Sequence, residues 1–335
     1  MNGRTTTTFP RVAVALLTAF VFLFLVDDQA GQPKKNTPGK GKTSPLTLTK
    51  ERAYADSLVA SALADSLRKV AEAVDDSLRR GHEADSLDGL KEETTKVFHG
   101  RTLKNDAFAV GERLVYNVNY GFITAGEAVM QIPSFDSVAG RKVYSVEFAV
   151  NSLPSFSWIY KVQDMYRTFI DVQWLAPVRF EQHIREGTYR RDFIADFDQV
   201  RNVAVTTEGT YPVPPYVHDI MSAFYYARTL DWSDFRPGEG VMLNNFYRDK
   251  THDLMVKFLG KQELEVAAGT FKTLVVEPLV KEGGLFKSEG RIVIWITDDE
   301  RKVPVRVNTK VVIGSIDTEL REYSGLAGPL RARLD

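Results

Sequence analysis

The sequence predicts a mainly β protein: a curved antiparallel sheet or half-open β-barrel with one covering α-helix, preceded by a helical spacer. Three observations carry this. From about residue 105 onward apolar and polar residues alternate with period two, the mark of half-buried strands. The strands are separated by turn pairs such as Glu186-Gly187, Ala268-Gly269 and Gly283-Gly284, with no alternating helices to build a parallel sheet. One stretch, Val217, Ile220, Met221 and Phe224, instead has the i, i+3, i+4, i+7 spacing of a helix that buries one face.

Taken from the start, Arg4 and Arg11 precede an apolar run from Val12 to Val26, interrupted only by Thr18 and followed by Asp27 and Asp28. This is the charged and apolar pattern of a secretory signal. Such a run spans about 22 Å as a helix, short of the roughly 30 Å hydrocarbon layer. Residues 1–30 are therefore read as a signal peptide or, if uncleaved, a single N-terminal anchor, and the protein as periplasmic or otherwise exported. Residues 31–50 hold Lys34, Lys35, Lys40 and Lys42 among Gly, Pro, Ser and Thr, a flexible basic linker with almost nothing to bury.

Residues 51–98 are rich in Ala, Leu, Asp and Ser, and a phrase recurs at Ala55-Asp56-Ser57-Leu58, Ala64-Asp65-Ser66-Leu67, Asp76-Ser77-Leu78 and Ala84-Asp85-Ser86-Leu87. Its leucines fall 9, 11 and 9 residues apart and do not hold one helical stripe. This reads as a helical or partly disordered spacer, or a docking helix.

The β-rich domain spans 105–325, with a tail at 326–335. Leu114, Tyr116, Val118 and Tyr120 share one strand face. The same alternation recurs at Tyr144 to Val150, Val178 to Ile184, Leu254 to Phe258, Ile292 to Ile296 and Val303 to Val307, about a dozen strands in all. The helix begins after Pro212, Pro214 and Pro215. A sheet this large needs its concave face covered, and this helix is the element available for it.

Several phrases within this region are familiar: Gly111-Glu112-Arg113-Leu114, Tyr120-Gly121-Phe122-Ile123 with Ala125-Gly126, Arg179-Phe180-Glu181 leading to Gly187-Thr188-Tyr189, Asp219 to Tyr226, Ala268-Gly269-Thr270-Phe271, and Trp295-Ile296-Thr297-Asp298-Asp299. Together they resemble the exported bacterial family known as domain of unknown function 3108, over roughly Asp106 to Tyr323. The resemblance implies export and a β-rich fold similar to the half-open barrel of periplasmic lipoprotein carriers. It implies no activity, and fold likeness alone does not carry function.

The chemistry is sparse. With no cysteine there is no disulfide, thiolate nucleophile or lipid attachment through cysteine. The five histidines never fall at i, i+2 or i, i+4, and no nucleophile elbow or phosphate loop is present. Asp298-Asp299-Glu300 reads as a solvated hairpin turn. A net charge of −1 argues against nucleic acid as a partner. We therefore expect no enzyme activity, metal or cofactor.

The expected function is a binding or carrier-like module for an amphiphilic or anionic ligand, such as a lipid or envelope glycan. The alternatives are a structural adaptor that docks an envelope protein partner and, behind it, a glycan-acting hydrolase. Membrane contact is expected at most through the N-terminal segment.

With Glu186-Gly187 as the turn, Gln182 faces Arg191 and Ile184 faces Tyr189 on an apolar face also carrying Phe180 and Phe193. A guanidinium there needs a carboxylate, a phosphate or water. Arg191 therefore either pairs internally, with Asp164 or Glu147, or waits for an anionic head group. Arg167, between Met165 and Phe169, poses the same choice. The aromatic connection containing Trp158 and Tyr160 either folds into the core or forms a ligand-contacting rim. The candidate ligand-binding residues are thus Arg167, Arg191, Gln182, Tyr189, Trp158 and Tyr160.

Overall fold

The computed structural model describes residues 100–157, 160–247, 249–282, 285–287, 291–310 and 315–335. The expected signal segment, linker and spacer, the Gly283-Gly284 turn and Trp158 lie outside them. The chain enters the middle of the sheet with β1 (Arg113–Tyr120). It steps outward through β2 (Ile123–Val138), β3 (Arg141–Ser152), β4 (Gln163–Asp171), β5 (Pro177–Glu186), β6 (Tyr189–Asp198) and β7 (Val203–Thr206) to the edge strand β8 (Gly209–Pro212). A helix then carries it to the opposite edge, β9 (Gly240–Tyr247). From there β10 (Lys250–Val266), β11 (Gly269–Glu282), β13 (Ile292–Thr297), β14 (Pro304–Lys310) and β15 (Ser315–Ser324) lead back to the middle, where β15 pairs with β1. β12 (Leu285–Lys287) attaches to β11.

The described residues thus form one fifteen-stranded antiparallel sheet, more strands than periodicity indicates. The four-residue β7 and β8 and the three-residue β12 are too short to show alternation. No ladder joins edge strands β8 and β9, so the sheet is not closed. It curls until Phe246 of β9 meets Tyr211 of β8 and Phe197 of β6, with ring centroids 5.8 and 5.9 Å away. Bulges supply the bend, among them one between Phe258 and Gly260 and one between Gln131 and Ser134.

Two helices are described, α1 (Pro154–Ser157), a single turn between β3 and β4, and α2 (Ile220–Arg228). Neither is long and apolar enough to cross a membrane. Val217 lies before α2 rather than in it, because His218 pairs with Asn245 of β9 and Asp219 takes the N-cap. The Asp219 carboxylate accepts from the backbone N–H of Met221 and Ser222 at 2.8 and 2.9 Å and from the Thr168 hydroxyl of β4 at 2.8 Å. At the other end, Arg228 donates two bonds to Glu112, at 2.7 and 2.8 Å.

Between these anchors α2 serves two cores. Met221 and Tyr225 pack with the large cluster built on β1 to β6, and Ala223 with the cluster of β9 to β14. Residues flanking the sheet also pack on it: Ala107 and Phe108 are buried, and the backbone N–H of Lys272 donates to Ala332.

The hairpin after β5 corrects the expected register. Its turn is Gly187-Thr188, so Arg191 opposes Ile184 and Gln182 opposes Phe193. Glu186 is held in the sheet by Tyr189 on one side and Val162 on the other, which moves the turn one residue along. The displacement is even, so each side chain keeps its predicted face.

Candidate ligand cleft and buried carboxyl pair

An apolar cleft separates α2 from the inner face of β10, β11, β13 and β14. Its enclosed volume is about 60 Å³, and it widens to an open mouth. Alternation places Leu254, Val256, Val276, Ile292, Ile294 and Ile296 on the sheet side. The helix presents Ile220, Ala223, Phe224 and Ala227, a stripe at i, i+3, i+4 and i+7. Two of these four are alanines one turn apart, and their short side chains leave space between helix and sheet. Trp232 closes one flank, its indole N–H donating to the Ala227 carbonyl at 3.1 Å. The charged lining residue is Arg228, whose guanidinium is spent on Glu112 and the carbonyls of Ala107, Arg301 and Lys302. The cleft therefore suits a hydrocarbon or ring system.

A second arrangement lies where β4 begins and β5 ends. Asp164 and Glu186 are 2% and 4% exposed and adjoin each other. Asp164 accepts from the Arg185 backbone N–H at 2.8 Å. Its Oδ2 and the Oε1 of Glu186 are buried with no other partner. Burial, reinforced by the Asp164 charge, pushes the Glu186 carboxyl up to about 8, and burial raises Asp164 as well. One proton shared between the two carboxyls satisfies both orphaned oxygens.

Tyr160 leans on the pair, its phenol pushed up to about 12 by burial and then by the Glu186 charge. Tyr166 and Gln182 close the inner side. The connection from β3 is held over the pair by the Val162–Glu186 bridge and by the Gly187 N–H donating to Lys161.

The candidate residues separate. Gln182 and Tyr160 join the carboxyl pair, while Tyr189 stands half exposed on the hairpin. Arg191 is 14% exposed, 3.0 Å from Glu208 and 5.4 Å from the centre of the Phe193 ring. The expected partners Asp164 and Glu147 are engaged elsewhere, Glu147 by Arg167 at 2.8 Å. Arg167 lies on the outer face, 38% exposed, with Glu181 at 3.9 Å as its second carboxylate. Trp158 is outside the described residues.

His218 is buried beside Ser222 and held neutral, burial lowering its pKa to about 3. Among the described residues no group of His, Asp and Glu has metal-binding geometry. Sequence reasoning did not find Asp164 with Glu186, because their meeting depends on register. It also missed the cleft, for which the two alanines in an apolar helical stripe were the available signal.

The profile of a family described as "Protein of unknown function (DUF3108)" matches residues 115–321. No curated protein matches the chain. Among solved structures, it is similar to a beta-barrel-like protein of domain of unknown function DUF1849 from Brucella abortus. That pair shares 11% identity over 64% of this chain and 97% of the other, at a TM-score of 0.44. A Bacteroides fragilis protein described as exported with a YmcC-like fold has 10% identity over 68% and 100% of the two chains, TM-score 0.32. A Parabacteroides distasonis protein described as a lipoprotein has 12% identity over 67% and 99%, TM-score 0.31.

Proposed function

Because the chain belongs to the family of proteins of unknown function DUF3108, membership brings no activity, and we propose from its own geometry that it is a non-catalytic binding or carrier-like module for an amphiphile. The observation that carries this reading is the apolar cleft between α2 and the inner sheet face. A folded domain ordinarily fills such space with its own side chains, and a concave, almost wholly apolar lining is what small-molecule sites present. In this reading α2 is the cover of a half-open barrel. The apolar part of the ligand lies against Phe224, Trp232 and the aliphatic residues of β10 and β13. The N-terminal charged and apolar segment motivates an exported location, with residues 51–98 as the spacer between envelope and domain.

Protein purified from a bacterial envelope should yield a copurifying amphiphile on native mass spectrometry and organic extraction. It should also bind a fluorescent fatty-acid analogue. Ala227→Leu fills the cleft beside Trp232 and should abolish both signals while leaving stability within about 1.5 kcal/mol. Absence of bound amphiphile and of probe binding in the unaltered chain overturns the proposal.

A further inference from the structure

The β1–β2 turn has a feature the cleft does not explain. Tyr120 pairs with Ile123, so the turn is the two residues Gly121 and Phe122, with Gly121 at φ +58. Phe122 is 99% exposed and Ile123 48%. A Cβ at Gly121 would meet nothing within 4 Å, so the turn projects clear of the fold. A fully solvated phenyl ring beside an exposed isoleucine contributes nothing to the core. Phe135, another exposed ring, is by contrast partnered by Tyr144 and Lys142.

Charge at this end of the sheet points to the occupant. Register places the end of β3 and the start of β15 on either side of the turn, since the Leu153 N–H donates to Ala125 and Tyr120 pairs with Ile316. The exposed Lys161, just before β4, and Lys310, the last residue of β14, thus lie at the same end of the sheet as Phe122, two strands away on either side. Three of the described carboxylates of the same end carry little free charge: Asp164 and Glu186 are buried beside each other and Glu208 is matched by Arg191, while Asp249 in the β9–β10 turn is exposed. Apolar side chains on a projecting tip between two lysines fit the boundary between headgroups and acyl chains of an anionic bilayer.

We infer that the Gly121–Phe122 turn is a membrane-contacting tip that inserts Phe122 and Ile123 into an anionic lipid surface, with Lys161 and Lys310 on the lipid phosphates. The inference is independent of what the cleft holds. Vesicle contact without a cleft ligand, or a cleft ligand without vesicle contact, separates the two.

The chain has no cysteine, so Phe122→Cys in the full-length protein accepts a single environment-sensitive label. The N-terminal apolar segment can itself hold the chain to vesicles, so the environment of the label is read rather than binding. On vesicles of phosphatidylcholine with phosphatidylglycerol, the label at 122 should brighten about twofold or more and be quenched by nitroxide-bearing acyl chains.

A label at Val200→Cys, an exposed turn at the opposite end of the sheet, should not respond. A label at Ile123→Cys should respond with Phe122 present and lose the response with Phe122→Ser. Phosphatidylcholine alone, or Lys161→Gln with Lys310→Gln, should weaken the signal. If the label at 122 stays in water on vesicles that have bound the chain, or the label at 200 responds equally, or the anionic lipid makes no difference, the inference is overturned.

Discussion

Glu186 and His218 are buried groups held neutral, and they act on stability from opposite sides of the pH scale. Glu186 keeps its proton up to about 8 in the folded chain, whereas an unfolded glutamate releases it near 4.5. Its contribution is complete below the unfolded value and is lost as the pH rises toward 8. The raised Asp164 acts in the same direction. His218 refuses a proton until about 3, whereas an unfolded histidine takes one near 6.5, so its contribution is lost as the pH falls toward 3. The opposing slopes of Glu186 and His218 cancel between about pH 4.5 and 6.5, so stability should pass through a broad maximum toward the acid side of that window, where Asp164 is still protonated, and fall on both sides. Urea midpoints over a pH series measure this. Glu186→Gln should flatten the alkaline limb and spare the acid limb, and a midpoint that still rises toward pH 8 would show the carboxyl pair ionised.

At the scale of elements, α2 is fastened to the sheet by two polar contacts of different kinds. Asp219 is an N-cap that also reaches β4, and Arg228 at the C-terminal end is matched to Glu112 with both side chains essentially inaccessible to water. Arg228→Met strands a buried carboxylate and should cost roughly 3–5 kcal/mol by thermal or urea unfolding. The arginines on the strands differ. Arg167 is itself 38% exposed, and the Glu208 partner of Arg191 is 45% exposed, so water reaches one member of each pair and Arg167→Met and Arg191→Met should each cost no more than about 1 kcal/mol. An Arg191→Met variant as unstable as Arg228→Met would mark Arg191 as a structural residue.

For the whole molecule, the strand order places the chain's two passages through the sheet in adjacent halves, with β1 against β15 at the seam. The large core crosses that seam, since Leu114, Phe180 and Met221 share it with Phe246, Val303 and Leu320. The two halves should therefore unfold together. Tryptophan fluorescence, which samples all four tryptophans, among the described residues Trp174 in one half and Trp232 and Trp295 in the other, should trace one urea transition coincident with far-ultraviolet circular dichroism. Two separated transitions would show that the halves are independent domains.

Much of this architecture was legible in the sequence. Period-two alternation follows from strand geometry, so the faces of β1, β3, β10 and β13 could be assigned from residue types alone, and the face of Arg191 survived a change of register because that change was even. The stripe from Ile220 to Phe224 likewise announced α2. Contacts between residues far apart in the chain were not legible. Glu208 rather than Asp164 pairs with Arg191, Arg228 finds Glu112 across 116 positions, and Asp164 meets Glu186 where two strands end. Local periodicity reports which side of an element is buried. Strand order, bulges and curl decide which buried groups become neighbours, and so the cleft beside α2 and the meeting of Asp164 with Glu186 belong to the tertiary structure alone.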